Sequence, residues 1–352
     1  MSEKIDYLIV GQGLAGTLVA DRLLEQNKKV IVVDAGHHEA ASKIASGIMN
    51  PITGRRFVKS WMYDDLLPVA IARYQSLEKK LSSPLLFRRN IVRELPNQAA
   101  RTDWLLRGGD PMYRQYIVAG DRYHSLPDGL HSMLERMETC GSYQLDIPNL
   151  ILRYRLFLEE KGILLPQRFR HDRLEVSTDQ ITYQGFYARG IIFCEGKGLT
   201  SNPLFGNHLL EPSIGERLEV RIHRLNLDFL LKKKFFLAPI SHNNFWFGGA
   251  THWNFDDELP SQRAFLQLTK ALRELIDLPY EILSHHAAIR PTVFDRRPIL
   301  GAHPQHSNVF LFNGLGTKGA SLGPFWVDVM VRFICNTGTI PSEVNLSRFL
   351  KI

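Results

Sequence analysis

The sequence is poor in cysteine and has no recognisable metal-ligand motif. Only three cysteines occur in 352 residues, and they lie far apart without a CxxC pair. A disulfide framework or a structural zinc site is therefore excluded as the organising feature of the fold. The thirteen histidines form no HExxH or comparable spacing, so we expect no metal site.

Long apolar runs are also missing. None approaches the roughly 18 to 20 residues that a membrane helix needs, and the first residues, MSEKIDY, lack the basic start and apolar core of a signal peptide. We therefore expect a cytoplasmic protein without a membrane span.

At 352 residues the chain is longer than most single-core domains, so two domains are expected. The net charge of +7 indicates solubility and attraction to an anionic small molecule. Binding to nucleic acid is the alternative, but no nucleic-acid motif accompanies the charge.

A glycine-rich turn near the start predicts a dinucleotide-binding site. The segment YLIVGQGLAG predicts a strand over 5–10, then a GxGxxG turn and a helix over about 14–24. The first glycine permits the tight turn, the second lets the backbone approach a pyrophosphate, and the third lets the helix pack on the sheet. The positive end of the helix points at the phosphates. The expected cofactor contacts here are Gly11, Gly13, Leu14, Ala15 and Gly16.

Asp34 is the expected acidic partner of this turn. It follows the apolar run KKVIVV and lies eighteen positions after Gly16. A carboxylate at this distance accepts the ribose hydroxyls of an adenosine, and its charge disfavours a 2′-phosphate. The turn and the acid together predict a bound dinucleotide but do not distinguish FAD from NAD.

The rest of the chain does not continue as a regular alternation of strands and helices. A glycine-punctuated loop follows Asp34, and helical spacing then appears over about 65–81 and again in IPNLILRYRLFLEEKG. A further apolar strand, over about 190–194, runs into Gly196. Strands of one sheet are therefore separated by long insertions, which predicts a discontinuous nucleotide-binding domain with a second domain inserted into it.

Eight segments in this order resemble the D-amino-acid oxidase, glycine oxidase and sarcosine oxidase family of FAD-dependent oxidoreductases. They are the GxGxxG turn with Ala20, Asp34, ASGI at 45–48, IIFCEG at 191–196, IGERLEV at 214–220, FWFGGATHW at 245–253, AIRPTVFDRRPILG at 288–301 and NGLGTKGASLGP at 313–324.

The resemblance implies an α/β fold, with a Rossmann-type FAD-binding domain built from 1–80, 142–206 and 288–352. Residues 81–141 and 207–287 would form the inserted, mainly antiparallel α+β substrate domain. The cysteine to which sarcosine-oxidase-like proteins attach their flavin is missing near RPT, so the FAD is expected to be non-covalent.

The family pattern also assigns further cofactor contacts. Those expected to line the flavin are Ala45, Ser46 and Gly47, and Gly196 is expected beside the pyrophosphate. A loop before the last helix would meet the pyrimidine edge of the flavin, through Gly314, Gly316, Thr317, Lys318 and Gly319. That helix is expected to begin near Pro324 and to stabilise a reduced, anionic flavin with its positive end.

At the substrate end, the resemblance makes Arg290 the residue that binds a substrate carboxylate bidentately. Trp246 stands where relatives carry an oxygen-activating lysine, so Lys59 or Lys318 would have to supply that cation. The electron acceptor is then either O₂ or another molecule. His252, with Trp246 and Trp253, either lines the substrate cavity or packs on the core of the inserted sheet.

The expected function is oxidation of the C–N bond of a small amino acid or an N-substituted glycine. Hydride transfer to the flavin would give an imine, which water hydrolyses, without a strong protein base. One alternative is a tRNA oxidoreductase that removes a carboxymethyl group from a modified wobble uridine, for which the positive charge suits RNA. The other is an idle FAD-binding scaffold that acts through a protein partner.

Overall fold

The computed structural model describes residues 3–37, 40–131, 133, 135–255 and 257–349. Within these ranges the chain forms eight α-helices and four short 3₁₀ turns. The helices are α1 (Leu14–Glu25), α2 (Ala41–Ile44), α3 (Tyr63–Leu81), α4 (Gln98–Gly109), α5 (Pro111–Arg114), α6 (Ile147–Glu160), α7 (Gln262–Arg273) and α8 (Gly319–Ile334). The 3₁₀ turns are Gly120–Arg122, His171–Arg173, Gly196–Ser201 and Leu346–Phe349.

The same residues form twenty β-strands. They are β1 (Glu3–Val10), β2 (Val30–Val33), β3 (Ile48–Met49), β4 (Ile52–Thr53), β5 (Val58–Lys59), β6 (Leu86–Arg88), β7 (Ile91–Glu94), β8 (Arg136–Thr139), β9 (Tyr143–Leu145), β10 (Leu164–Leu165), β11 (Leu174–Val176), β12 (Ile181–Tyr183), β13 (Phe186–Phe193), β14 (Ser213–Ile222), β15 (Leu230–Lys232), β16 (Phe236–Ser241), β17 (Asn244–His252), β18 (Tyr280–Arg290), β19 (Ile299–His303) and β20 (His306–Asn313).

The first large sheet carries the nucleotide-binding pattern. Strands β10, β2, β1, β13 and β20 lie side by side in that order and are all parallel. Strand β13 pairs with β20 through its second half and with β12, antiparallel, through its first half. Strand β11 pairs antiparallel with β12, and β19 pairs antiparallel with β20. Because parallel strands end at the same edge, the turns after β1, β2, β13 and β20 are brought together there.

Both faces of this sheet are buried, which explains its nearly continuous apolar strands. On one face, Leu18 of α1 and Trp326 of α8 belong to a core that also contains Tyr74 of α3. On the other face, Leu8 and Phe193 pack in a second core with the segment around Phe205. The parallel sheet and its helices confirm the predicted α/β fold.

The second large sheet has seven strands, in the order β18, β14, β17, β16, β15, β7, β8. All its pairs are antiparallel except β15 with β7. Its strands come from 91–94, 136–139 and 213–290, so a mainly antiparallel second unit is present as expected. The predicted domain boundaries at 80, 142, 206 and 288 stay a prediction.

Helix α7 covers one face of the second sheet. Leu268 and Leu272 of α7 share a core with Leu218 and Phe247 of the sheet. On the opposite face the apolar cluster has only four buried members, Ile91, Leu230, Ala238 and Trp246, of which Trp246 lines a cavity. Only one face of this sheet is therefore covered by a large hydrophobic core, and the opposite face forms part of the wall of a cavity.

Helix α8 begins at Gly319, five residues before the predicted start near Pro324. Pro324 lies inside the helix, where it lacks the N–H that would bond the carbonyl of Ala320. The buried Tyr74 hydroxyl donates to that carbonyl at 2.8 Å instead. The proline is tolerated because α3 supplies the missing hydrogen bond, and this contact between distant segments leaves no local pattern in the sequence.

The described residues include no helix that is both long enough and apolar enough to cross a membrane.

Tyr74→Phe is expected to lower the free energy of unfolding by about 2 kcal/mol, because it leaves the buried Ala320 carbonyl unsatisfied. The loss should be much smaller in a Pro324→Ala background, where residue 324 regains an N–H for the same carbonyl. Urea unfolding of the four proteins in this double-mutant cycle measures the coupling. Equal losses in the two backgrounds would contradict the assignment.

Candidate cofactor and substrate site

A cavity of about 1840 Å³ lies between the carboxyl edge of the parallel strands and the uncovered face of the second sheet. Its wall contains the turns after β1 and β13, the loop before β3, the end of β18 and the loop before α8. Sites for one small ligand are typically roughly 300–1,000 Å³. The cavity is therefore large enough for a dinucleotide together with a substrate.

The turn after β1 is closed tightly against its surroundings. Gly11 has a φ of +96°, and a Cβ there would lie 2.6 Å from the carbonyl oxygen of Cys194. A Cβ on Gly16 would lie 1.7 Å from the carbonyl oxygen of Gly11. Gly16 accordingly packs beneath the turn and does not line the cavity. The other four predicted residues of this turn do line it: Gly11, Gly13, Leu14 and Ala15.

Asp34 holds the turn from the side and keeps one acceptor position open. Its Oδ2 accepts from the backbone N–H of Gln12 at 2.8 Å. Its Oδ1 accepts from the N–H of Gly36 at 2.7 Å and from Nη1 of Arg155 at 2.9 Å. Since a carboxylate oxygen has two acceptor positions, Oδ2 can take one more hydrogen bond on the cavity side. That matches the expected contact with a ribose hydroxyl.

Arg155 was missed by sequence reasoning. It lies on α6, between the apolar positions that face the core. Besides its contact with Asp34, it pairs with Glu159, four residues later, at 3.3 Å. The i, i+4 spacing alone suggests an ordinary surface ion pair. Only the packing of α6 beside β2 reveals the contact with Asp34.

The predicted flavin loop at Ala45, Ser46 and Gly47 lines the cavity and is held from both sides. Gly47 has a φ of +68°, and a Cβ there would lie 1.8 Å from the carbonyl oxygen of Leu145. Trp246 of the second sheet donates its Nε1–H to the carbonyl of Ile44 at 2.8 Å. This loop therefore connects the two sheets at the cavity.

Asn313 joins the two remaining glycine turns. Its Nδ2 donates to the carbonyl of Gly196 at 3.0 Å, and its Oδ1 accepts from the N–H of Gly314 at 2.8 Å. Gly196 lines the cavity, as do the other predicted residues of this loop: Gly314, Gly316, Thr317, Lys318 and Gly319. The N–H of Gly316 also donates to the carbonyl of Pro291 at 3.2 Å, which links this loop to the segment that follows β18.

Two helix N-termini open onto the cavity. Residues at the start of α1 and of α8 line it, and neither helix has an acidic residue in its first turn. The positive ends of both helices are thus available to anionic groups. Together with the glycine turns and the free acceptor on Asp34, this donor set fits a pyrophosphate at α1 and an anionic ring edge at α8, as FAD requires.

Arg290 is a half-buried cation in the same cavity. It ends β18, its Nη1 donates to Oγ1 of Thr251 at 2.6 Å, and its guanidinium occupies the space that a side chain at Gly215 would fill. Burial lowers its pKa to about 10, which leaves it charged at neutral pH. No carboxylate of the described residues lies within 4.0 Å of it. The site thus presents an unpaired guanidinium to an incoming anion.

The structure does not bring Lys59 and His252 into the cavity lining. Nζ of Lys59 pairs with Asp64 and lies 5.5 Å from the centre of the Tyr116 ring. His252 ends β17, and its buried Nε2 has no hydrogen-bond partner among the described residues. Lys318 does line the cavity, with its Nζ 3.4 Å from Oγ of Ser60, and burial lowers its pKa.

Lys232 is a second cavity residue that the sequence did not single out. It ends β15, and its Nζ lies 4.4 Å from the centre of the Phe236 ring. Burial, together with the nearby charge of Arg93, lowers the pKa of Lys232 to about 8. In the sequence it belongs to the cluster Lys232–Lys234, one of the basic clusters that indicate solubility and attraction to an anionic small molecule without assigning a role to Lys232. Lys233, the first residue after the strand, does not line the cavity and pairs instead with Glu94 at 3.2 Å.

Lys232→Met is expected to stabilise the protein at pH 7, because it removes a desolvated charge. The folded pKa of about 8 lies below the ordinary 10.5, so the unfolded chain binds more protons between these values and wild-type stability rises with pH across that window. The gain from the variant should be at most about 3 kcal/mol at pH 7 and should vanish above pH 10.5.

Urea unfolding of Lys232→Met from pH 7 to pH 10.5 measures this effect. Lys233→Met is the matched control, since Lys233 pairs with Glu94 at 3.2 Å outside the cavity and should lose stability, not gain it. A gain at pH 7 in the control alone would contradict the expectation.

Gly16→Ala is expected to abolish retention of FAD, because the new methyl group cannot fit against the Gly11 carbonyl and must displace the start of α1. Gly109→Ala is the control, since a Cβ at Gly109 meets no atom within 4 Å. Flavin absorbance after gel filtration reports the retained cofactor. Wild-type flavin content in Gly16→Ala would show that the turn is not the cofactor cradle.

Comparisons with known proteins agree with this geometry. Residues 6–327 match the family model described as FAD dependent oxidoreductase (DAO). The fold is similar to glycine oxidase from Geobacillus kaustophilus, with a TM-score of 0.80, 19% identity, and coverage of 99% of this chain and 100% of that chain. It is also similar to iminodiacetate oxidase from Chelativorans sp. BNC1, with a TM-score of 0.77, 17% identity, and coverage of 96% and 98%.

A third similar structure is L-amino acid deaminase from Proteus myxofaciens in complex with anthranilate, with a TM-score of 0.80, 11% identity, and coverage of 100% of this chain and 95% of that chain. These identities support the fold, whereas the family match spans most of the sequence. The protein therefore belongs to the DAO family of FAD-dependent oxidoreductases, and its cofactor is FAD.

Proposed function

We propose that the protein oxidises the C–N bond of a small amino acid or an N-substituted glycine. The observation that carries this proposal is Arg290, a half-buried guanidinium without a carboxylate partner among the described residues, which opens into the same cavity as the glycine turns. When bound, FAD supplies the two-electron oxidant for the carbon next to the amine. The resulting imine is hydrolysed by water to a carbonyl compound and the free amine.

Arg290 would hold the substrate carboxylate through two parallel N–H donors. Thr251 fixes one nitrogen of the guanidinium at 2.6 Å, and the absence of a side chain at Gly215 lets the plane lie flat. The Gly316–Pro291 hydrogen bond connects this segment to the loop before α8. A substrate anchored at Arg290 is thereby positioned relative to the cofactor loop through a short path of backbone contacts.

A dedicated protein base is not part of the proposal. Glu216 is a buried carboxylate in the cavity lining, but its Oε1 accepts from the Ser261 hydroxyl at 2.7 Å. Its Oε2 accepts from the Ser261 N–H at 2.8 Å and lies 3.0 Å from Nε2 of His285. A carboxylate so engaged is poorly suited to take a proton, which supports a substrate that reacts as the neutral amine.

Lys318 is the proposed cation beside the flavin, and Lys59 is not, because Lys59 is paired with Asp64 outside the cavity lining. Whether the electrons pass to O₂ or to another acceptor depends on this site. We further propose that FAD is held non-covalently. Cys194 lines the cavity, but burial raises its pKa, which keeps it an unreactive thiol.

The tRNA-modifying and non-catalytic alternatives are not favoured. The similar structures include a glycine oxidase, an iminodiacetate oxidase and L-amino acid deaminases, all named for small amino-acid or imino-acid substrates. An unpaired guanidinium in a large cavity also argues against a scaffold without a ligand of its own.

The first test is an anaerobic titration of the flavoprotein with glycine, sarcosine, proline and D-amino acids, followed by the flavin spectrum. Reduction by one of them is expected. Arg290→Lys should then raise the substrate Kd by about 100-fold while FAD is retained, because the bidentate contact is lost. Arg273→Gln on the exposed side of α7 is the control and should change nothing. A flavin that no amine reduces would overturn the proposal.

A further inference from the structure

A row of basic residues crosses the cavity-facing side of the second sheet. Arg217 of β14 lies opposite Gly248 of β17, which lies opposite Phe236 of β16. Phe236 in turn lies opposite Lys232 of β15, and Lys232 lies opposite Arg93 of β7. Residues directly opposite one another in a sheet project from the same face. All of them except Arg93 are part of the cavity lining.

The charges in this row are poorly compensated. Arg217 has Glu219 at 3.3 Å, whereas neither Lys232 nor Arg93 has a carboxylate within 4.0 Å in the described ranges. Arg93 instead donates to the carbonyl of Gly54 at 2.9 Å and lies over the Phe57 ring. The ammonium of Lys232 contacts the Phe236 ring. A desolvated charge without a counter-charge is costly, so an anionic occupant of the cavity would relieve that cost.

This row is separate from the place that Arg290 occupies. Arg290 lies opposite Ser213, near the start of β14, whereas Arg217 lies four residues further along the same strand. Strands β18 and β15 are four steps apart in the sheet, about 19 Å between backbones at roughly 4.8 Å per step. Lys232 therefore cannot serve the carboxylate held by Arg290, and an anion at Lys232 must belong to the remote end of the ligand.

We infer that Lys232 binds a second anionic group of the substrate, with Arg93 on the adjacent strand and Arg217 three strands away adding positive potential. The preferred substrate is then an amino acid or N-substituted glycine that carries an additional carboxylate at the end remote from Arg290. This inference rests on the proposed function for the reaction, but the anion-binding subsite itself does not require that any amine be oxidised.

The test uses redox-inert carboxylates and the FAD-loaded protein. Calorimetry compares glutarate, adipate and suberate with pentanoate, hexanoate and octanoate, which match them in chain length and lack the second carboxylate. At least one dicarboxylate is expected to bind about tenfold more tightly than its monocarboxylate. Lys232→Met should remove this preference while the monocarboxylate Kd stays unchanged, and Arg290→Lys should weaken both classes.

Lys233→Met is the matched control, because Lys233 pairs with Glu94 and is not part of the lining. It should keep the dicarboxylate preference, and Lys232→Gln should reproduce the loss without the added apolar side chain. Equal binding of mono- and dicarboxylates by the wild type would overturn the inference, even if glycine or sarcosine reduces the flavin. Loss of FAD from both Lys232 variants would also overturn it, because the lysine would then serve the cofactor. A Lys232-dependent preference in a protein that no amine reduces would support the subsite while the proposed reaction fails.

Discussion

The contact between Gly16 and the carbonyl of Gly11 is the constraint on which the rest of the site depends. It leaves no room for a side chain, so α1 lies directly against the turn after β1. Helix α8 then packs on α1 through its own glycines, since a Cβ at Gly323 would lie 2.6 Å from Cδ1 of Leu18. An ion pair between Arg22 and Asp328 at 2.5 Å joins the same two helices. The two N-termini therefore open onto one cavity.

The second sheet depends on this arrangement through a few polar contacts. The Trp246 indole donates to Ile44, the last residue of α2, and the Gly316 N–H donates to Pro291, which follows Arg290. These contacts connect the cofactor loops to the face of the sheet that α7 leaves uncovered. The Gly316–Pro291 hydrogen bond therefore links the proposed substrate anchor, Arg290, directly to the loop before α8.

The cavity wall near the glycine turns is easier to predict from the sequence than the rest of the cavity, for a physical reason. Glycine turns, the strand before them and the acid after β2 are local patterns, which predict Gly11 and Asp34, whereas Gly314 is predicted from the family resemblance; the fold places all three in the cavity wall. Arg155, Lys232 and the start of α8 depend on contacts between residues far apart in the chain, such as Tyr74 with Ala320. Lys59 shows the opposite error, because a lysine near a flavin loop in sequence pairs with Asp64 in the fold.

Buried charges in this protein fall into two groups, and the contrast supports a ligand with more than one anionic group. Asp21 is fully buried on the helical side of the first sheet, and it is neutralised by Arg73 at 3.2 Å and by Lys80. In the cavity, by contrast, burial lowers the pKa of Arg290, Lys232 and Lys318, and none of the three has a carboxylate partner within the described residues. At Asp21, away from the cavity, the fold thus supplies the compensating charges itself. Leaving three cations unpaired in one cavity reduces stability, a cost that proteins commonly carry at functional sites. On the proposed assignment, FAD accounts for the charge of Lys318, and a substrate with two anionic groups accounts for those of Arg290 and Lys232.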